Sequence, residues 1–126
     1  MGKYHLNREV ADMPFINSKT SFCMTEKEQD KVKEELGKAI SLIPGKSENW
    51  LMIGFEPNVS MYFKGNKEEK TAYVNVKIFG SMPKSVCEKM TKEICRIYKA
   101  ELNVPADRIY VTFDECENWG WNGSLL

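Results

Sequence analysis

Two segments of the chain have the apolar spacing of an amphipathic helix, and each is flanked on both sides by a segment typical of a β-strand. Apolar residues that recur every three or four positions line one face of a helix, and that face packs against other elements. The apolar positions are Val32, Leu36, Ala39, Ile40 and Ile43 in the first helix and Val86, Met90, Ile94, Ile97, Tyr98 and Leu102 in the second. The order strand, helix, strand, repeated at an offset of roughly sixty residues, predicts two β-α-β units.

Local signals bound both predicted helices. Thr25 and Glu28 have the spacing of a capping box, in which the hydroxyl accepts from a free backbone N–H and the carboxylate reaches back to the cap. Pro44 and Gly45 are expected to end the first helix. Pro105 stops the second helix from continuing, because proline has no N–H to donate.

Four segments have the composition of strands: residues 14–20, 50–55, 72–79 and 108–113. The run 50–55 is continuously apolar, which is typical of a strand covered on both faces or central in its sheet. Residues 58–66 are compatible with a further, brief strand between turn-forming residues. The expected fold is α+β, an α/β two-layer arrangement with a four-stranded sheet and both helices on one face.

The second face of that sheet has no cover within one chain. The strands are rich in bulky apolar residues, and we expect some of these to lie on the uncovered face. Burial in an oligomer is the economical way to remove such a face from water.

The composition is that of one domain. The 126 residues include 18 Lys and Arg against 18 Asp and Glu, a net charge of zero, and 42% are hydrophobic. A chain with this charge balance has no basic surface of the kind that binds nucleic acid or an anionic membrane. Its apolar stretches are also far shorter than the roughly 20 residues that cross a bilayer. The first residues lack the apolar core of a secretory signal, so we expect a cytoplasmic protein, with non-classical secretion left open.

The cysteines do not have the spacing of a metal site. They lie at positions 23, 87, 95 and 116, without a C-x-x-C pair, and the chain has one His. Structural zinc sites and disulfide frameworks use closer spacings and more ligands. We therefore expect buried thiols that act as small hydrophobes, with no metal and no cofactor.

Several short motifs, in order along the chain, point to one family. They are Pro14 directly after Met13, Pro44-Gly45-Lys46, Phe79-Gly80, Asp107-Arg108-Ile109-Tyr110, and the tail Trp119-Gly120-Trp121-Asn122-Gly123-Ser124-Leu125. With the double β-α-β plan, the chain resembles the macrophage migration inhibitory factor branch of the tautomerase superfamily. The resemblance covers residues 14–126. It implies a homotrimer with sites between subunits and keto-enol tautomerisation of α-keto acids such as phenylpyruvate.

The base that this resemblance implies is a secondary amine, that of an N-terminal proline. An α-amine titrates at about 7.7 to 8, close to the neutral pH at which a general base works best. The implied roles are Pro14 as base, Lys46 as the cation for the substrate carboxylate, Tyr110 of a neighbouring subunit as a hydroxyl for a substrate oxygen, and Phe79, Thr112, Trp119 and Trp121 as further substrate-binding residues.

Three features depart from the family pattern. Thr112 stands where the family has Asn, and Thr71 and Val74 replace the C-x-x-C of some members, so we expect no thiol-disulfide oxidoreductase activity. Residues 1–13 precede the domain of residues 14–126 as a leader, either from a misassigned start or added to the natural chain. An internal proline nitrogen is an amide without a free lone pair, so we expect the chain with its leader intact to be inactive.

Each of these residues also has a plain structural interpretation. Pro14 is a common residue at the start of a strand, and Lys46 suits the end of a helix. Tyr110 fits an ordinary strand position, and Trp119 and Trp121 fit trimer packing. The alternative function is therefore a cytokine-like or binding trimer with a vestigial site and a protein receptor as its partner.

Overall fold

The computed structural model describes residues 13–126. The leader, apart from Met13, lies outside the described residues. The strands and helices are β1 (Pro14–Thr20), α1 (Glu26–Ala39), β2 (Met52–Glu56), β3 (Ala72–Phe79), α2 (Lys84–Leu102) and β4 (Ile109–Cys116), followed by a small hairpin of β5 (Gly120–Trp121) and β6 (Ser124–Leu125). Three short 3₁₀ helices lie at Ile40–Leu42, Glu48–Trp50 and Ala106–Arg108.

The main sheet has four strands in the order β2-β1-β3-β4. β1 and β2 are parallel, as are β3 and β4, and the central pair β1 and β3 is antiparallel. Each parallel pair is joined through one helix, as a crossover between parallel strands requires. The predicted four-stranded α+β fold of two β-α-β units is confirmed.

The helices begin and end as their sequence signals predict. Thr25 Oγ1 accepts from Glu28 N at 3.1 Å, and Glu28 Oε1 accepts from Thr25 N at 2.9 Å, so the capping box is formed. α1 passes into a 3₁₀ turn that ends two residues before Pro44. α2 ends at Asn103, whose φ of 58° is the left-handed conformation common after a helix.

Both predicted apolar stripes are buried against one face of the sheet. Every stripe residue named above is less than a tenth exposed, and together with Ile16, Val74, Val76 and Ile78 of the central strands they form the core. One polar bond crosses this core: the Tyr98 hydroxyl donates to Ser18 Oγ at 2.7 Å. Burial raises the pKa of Tyr98 to about 12, because the interior disfavours the phenolate.

The predicted position of the apolar run 50–55 was wrong for the protomer. Its strand begins at Met52 and lies at the edge of the sheet. Ile53 and Phe55 pack against the core, whereas Met52 is 68% exposed. A continuous apolar run indicates that both faces of a strand are hydrophobic. It does not indicate whether the strand pairs with a neighbour on one side or on both.

The uncovered face carries bulky apolar residues, as expected, but mostly as aromatic rings towards its ends. The aliphatic residues of β1 and β3 lie on the helix side, whereas Phe15, Tyr73 and Phe79 alternate onto the other face. The other face carries a polar middle, with aromatic residues towards its ends. Its polar side chains are Asn17, Glu56, Asn75, Lys77, Thr112 and Asp114, joined across the strands by hydrogen bonds. Residues 58–66 contain an isolated bridge between Phe63 and Asn66 in place of a strand.

Candidate active site

The loop after α1 carries Lys46 to the end of the sheet where β1 begins. Lys46 N donates to Ile43 O at 3.0 Å, which closes a tight turn around Pro44 and Gly45. The φ of Gly45 is 80°, a value that type II turns require at this position and that glycine adopts without strain. From this turn, Lys46 Nζ donates to Phe79 O at 3.4 Å.

Pro14 and Phe79 meet at the same end of the sheet. Pro14 begins β1, and its partner in the register with β3 is Ile78. The backbone N–H of the next residue, Phe79, donates to Met13 O at 3.3 Å. Met13 is 4% exposed. The peptide group before Pro14, the ammonium of Lys46 and the backbone of Phe79 therefore lie together.

One aromatic ring of the C-terminal tail lies beside this cluster, and a second packs against Trp50. The ring centroids of Phe79 and Trp119 are 6.4 Å apart. Trp121 packs edge-on against Trp50, with 5.2 Å between ring centroids. Leu126 N donates to Trp119 O at 2.8 Å and holds the hairpin closed. These contacts provide an apolar wall suited to an aromatic group.

Trp50 is the residue of this wall that the sequence analysis missed. It lies in the apolar run 50–55, and it follows Lys46 by four positions. That run indicated a strand, so its first residue was interpreted as part of the sheet. In the structure it belongs to a 3₁₀ turn before β2.

A depression of about 450 Å³ lies beside Phe79. It is lined by Phe79, Gly80, Ser81, Glu115, Cys116 and Glu117. Glu115 Oε2 accepts from Met82 N at 2.6 Å, which fixes this carboxylate against the loop that leads into α2. The depression lies at the Phe79 end of the sheet, and neither Pro14 nor Lys46 lines it.

Tyr110 lies at the opposite end of the sheet. In the register of β3 with β4, Tyr110 pairs with Tyr73, whereas Phe79 pairs with Cys116. Six residues of strand separate the two positions, or about 20 Å at roughly 3.3 Å per residue. Tyr110 is 63% exposed. One protomer therefore brings together Pro14, Lys46, Phe79 and Trp119 but leaves Tyr110 apart.

Thr112 is held in the polar network of the uncovered face. Its Oγ1 is 2.8 Å from the Tyr73 hydroxyl and accepts from Asn75 Nδ2 at 2.6 Å. Asn75 also donates to Asp114 Oδ2, and Lys77 Nζ donates to the same oxygen at 3.0 Å. The hydrogen bond from Lys77, followed by that from Asn75, lowers the pKa of Asp114. Thr112 therefore lies with Tyr110 on the uncovered face, away from Lys46.

The cysteines of the described chain are free thiols. The expectation that they are buried was wrong: Cys23 is exposed, and Cys87, Cys95 and Cys116 are partly exposed. Burial raises the pKa of Cys95. Within residues 13–126, no three His, Cys, Asp or Glu side chains are grouped so that they could hold a metal ion. Over the same range, no helix has the length and apolar content to cross a membrane.

The protomer has paired β-α-β units on one mixed sheet with both helices on one face, and this arrangement defines a two-layer α+β protein. The family model described as Macrophage migration inhibitory factor (MIF) matches residues 13–126. The chain belongs to this family.

Individual relatives are distant in sequence but similar along almost their whole length. The macrophage migration inhibitory factor of Xenopus laevis is 28% identical over 116 residues, which span 90% of this chain and 99% of that protein. The crystal structure of Leishmania major MIF2 has a TM-score of 0.85 at 28% identity, covering 90% of this chain and 97% of that one. A homologue from Prochlorococcus marinus has a TM-score of 0.79 at 33% identity, covering 88% and 97%.

Proposed function

We propose that the domain is a keto-enol tautomerase for phenylpyruvate-type α-keto acids, with the Pro14 nitrogen as its base once Met13 is removed. The observation that carries the proposal is the cluster at the start of β1. There the residue before Pro14 bonds to Phe79 N, and Lys46 Nζ bonds to Phe79 O. Such a cluster suits an anionic substrate with an exchangeable C–H. The Lys46 ammonium can bind the anion, the Phe79 N–H can donate to an oxygen, and the amine of Pro14 can take the proton.

The proposed reaction moves one proton and leaves the electron count unchanged. The neutral amine of Pro14 takes a proton from the carbon next to the keto group. The C–H electron pair becomes the C=C bond, and the carbonyl pair moves to oxygen. The oxygen takes a proton from water while the Pro14 ammonium returns its proton to water, so the enol forms and the neutral amine is restored. Lys46 holds the carboxylate as a point charge and, as a nearby cation, disfavours the ammonium form of Pro14. No metal or cofactor enters this scheme.

The complete site requires a second copy of the chain. Tyr110 is about 20 Å from the Pro14 end of its own sheet by the strand rise. A neighbouring protomer in a homotrimer would bring its Tyr110 to the Pro14 cluster, where the phenol donates to a substrate oxygen and helps to bind the substrate. The same assembly would enclose the polar face of the sheet.

Residues before Pro14 block this chemistry in two ways. A peptide bond to Met13 converts the proline nitrogen into an amide that takes up no proton. The Met13 carbonyl also occupies the Phe79 N–H at 3.3 Å. Removal of residues 1–13 would free the base and a backbone donor together.

The test compares two chains in the conversion of phenylpyruvate between its enol and keto forms, followed by ultraviolet absorbance. One is the full 126-residue chain, and the other starts at Met13 with removal of Met13 verified by mass spectrometry. We expect activity in the short chain alone. Pro14→Gly in the short chain keeps a terminal amine but lacks the pyrrolidine ring, and should lower kcat/KM severely without dissociating the oligomer.

Two results would overturn parts of the proposal. Absence of activity in both chains would favour a cytokine-like or binding trimer. The buried, hydrogen-bonded peptide group before Pro14 is compatible with that function. An intact mass that begins at Met1 or Gly2, in protein purified from its native host, would contradict a misassigned start.

A further inference from the structure

Arg108 is the most completely bonded charged side chain of the described residues. It lies in the 3₁₀ turn that leads into β4 and is 3% exposed. Its Nε and Nη2 donate to Thr71 Oγ1 at 3.0 and 2.6 Å. Its Nη1 lies 3.5 Å from Glu69 Oε2. The N–H donors of a guanidinium lie in one rigid plane, so these bonds together hold the side chain in a fixed orientation.

The same guanidinium is hydrogen-bonded to the turn at residues 63–66. Phe63 N donates to Asn66 O at 2.9 Å, and Asn66 N donates to Phe63 O at 3.2 Å. Lys64 and Gly65 between them have φ values of 52° and 80°, which a type I′ turn requires. Arg108 donates to both carbonyls that close this turn, at 3.2 Å to Phe63 and 3.3 Å to Asn66.

The Phe63 ring connects this turn to Tyr110. The Arg108 guanidinium carbon lies 5.3 Å from the Phe63 ring centroid. The Phe63 and Tyr110 rings meet edge to face, with 5.0 Å between centroids and 81° between planes. Such pairs are favourable beyond the area they bury and prefer this geometry. An exposed tyrosine on an edge strand otherwise has several open rotamers.

We propose that Arg108 is a positioning residue for Tyr110 and acts through the turn at residues 63–66 and the Phe63 ring. It touches neither the Pro14 cluster nor the Tyr110 hydroxyl. It fixes the backbone of Phe63, and Phe63 fixes the Tyr110 ring. The catalytic consequence rests on the proposed function, in which Tyr110 reaches the site of a neighbouring protomer.

The first experiment measures the Tyr110 ring directly and does not depend on catalysis. The full chain is labelled with 3-fluorotyrosine, and the Tyr110 signal is identified in ¹⁹F NMR by its loss in Tyr110→Phe. Two variants test the link: Phe63→Leu, which keeps apolar bulk without the ring, and Arg108→Lys, which keeps the charge without the planar fork. The matched control is Phe22→Leu. It makes the same substitution at another ring that lies under a cation, here Lys70 Nζ at 4.7 Å from the ring centroid.

We expect the Tyr110 signal to shift or broaden in Phe63→Leu and Arg108→Lys and to stay unchanged in Phe22→Leu. An unchanged signal in folded Arg108→Lys would overturn the proposal. If that variant does not fold, Thr71→Val takes its place and is judged by the same criterion, because it removes the hydroxyl that accepts from Nε and Nη2.

The second experiment measures turnover of phenylpyruvate in the chain begun at Pro14. Misplacement of a substrate-binding phenol should raise KM by about fivefold or more in Phe63→Leu and leave kcat within about twofold. If Phe63 has only a structural role, its substitution would reduce the fraction of correctly folded enzyme, which lowers the apparent kcat and leaves KM unchanged. That result would contradict positioning. If the parent chain begun at Pro14 is inactive, the proposed function fails, and the fluorine signal alone decides the role of Arg108.

Discussion

The backbone N–H of Phe79 donates to the carbonyl oxygen of Met13 at 3.3 Å, so the last residue of β3 is paired with the residue before the candidate base. A chain begun at Pro14 lacks that acceptor. An unpaired donor of this kind is costly when buried, by about 1 to 3 kcal/mol, and an anionic oxygen would restore its bond.

The first prediction follows from this pairing and needs no turnover. Phenylpyruvate at about 100 times its Kd should stabilise the chain begun at Pro14 by about 2.7 kcal/mol. The full chain should gain nothing, because Met13 occupies the donor. Thermal unfolding at one fixed protein concentration measures both. Equal stabilisation of the two chains would contradict the role given to Phe79 N.

The second prediction concerns Lys46. Its ammonium binds Phe79 O at 3.4 Å and is proposed to bind the substrate carboxylate. In the chain begun at Pro14, Lys46→Ala should raise KM about tenfold or more, since charge-assisted hydrogen bonds contribute about 1.5 to 3 kcal/mol. The kcat should change little when it is measured at a pH above about 8, where the amine is neutral with or without the lysine. The methyl ester of phenylpyruvate is the control substrate, and its KM should be insensitive to the substitution. An equal fall in kcat and kcat/KM would assign Lys46 to the transition state instead.

The third prediction concerns Thr112. Its hydroxyl joins Tyr73 and Asn75 on the uncovered face, and Asn75 is 9% exposed. Thr112→Val keeps the shape but removes the hydroxyl, and should lower the free energy of unfolding by about 1 kcal/mol. Thr112→Ser keeps the hydroxyl and should lose less. Urea unfolding of both variants measures the difference, and a Val variant as stable as the parent would show that the network contributes no stability.

The fourth prediction uses the buried Tyr98. Burial raises the pKa of its phenol to about 12, so the folded chain holds this proton more tightly than the unfolded chain. The resulting stabilisation is complete below the unfolded pKa of about 10 and is lost as the pH rises from about 10 towards 12.

Tyr98→Phe should therefore cost about 1 kcal/mol near neutral pH, through loss of the bond to Ser18, and should lose stability less steeply above pH of about 10. Urea unfolding at neutral pH and near pH 11 measures this difference. Tyr62→Phe, at a side chain that is 67% exposed, is the control and should follow the parent at both pH values. Parallel loss in the parent and in Tyr98→Phe would exclude Tyr98 as the group responsible.

Features that depend on neighbours in the sequence were predictable. The capping box of Thr25 and Glu28 joins residues three apart, and helical periods such as Val86 and Met90 repeat within one element. Two such helices between strands restrict the topology, because parallel strands need a crossover. The motifs beside Pro14 and Lys46 also indicated the family to which the chain belongs.

Features that depend on distant pairing were not predictable. The apolar run 50–55 does not specify that β2 lies at an edge, since strand order is set by which strands meet in space. Asn17, Asn75 and Asp114 lie far apart in the sequence, and only the register of three strands places them on one polar face. Trp50 joined the aromatic wall because the C-terminal hairpin folds back onto it.

The sequence by itself determined the two helices, the paired β-α-β plan and the residues that resemble a catalytic set. The tertiary structure decided that Pro14, Lys46 and Phe79 meet at one end of the sheet while Tyr110 lies at the other. The physical reason is the range of each effect. Periodicity and capping act over a few residues, whereas distance across a sheet follows from register, which is fixed when the whole hydrophobic face is buried at once.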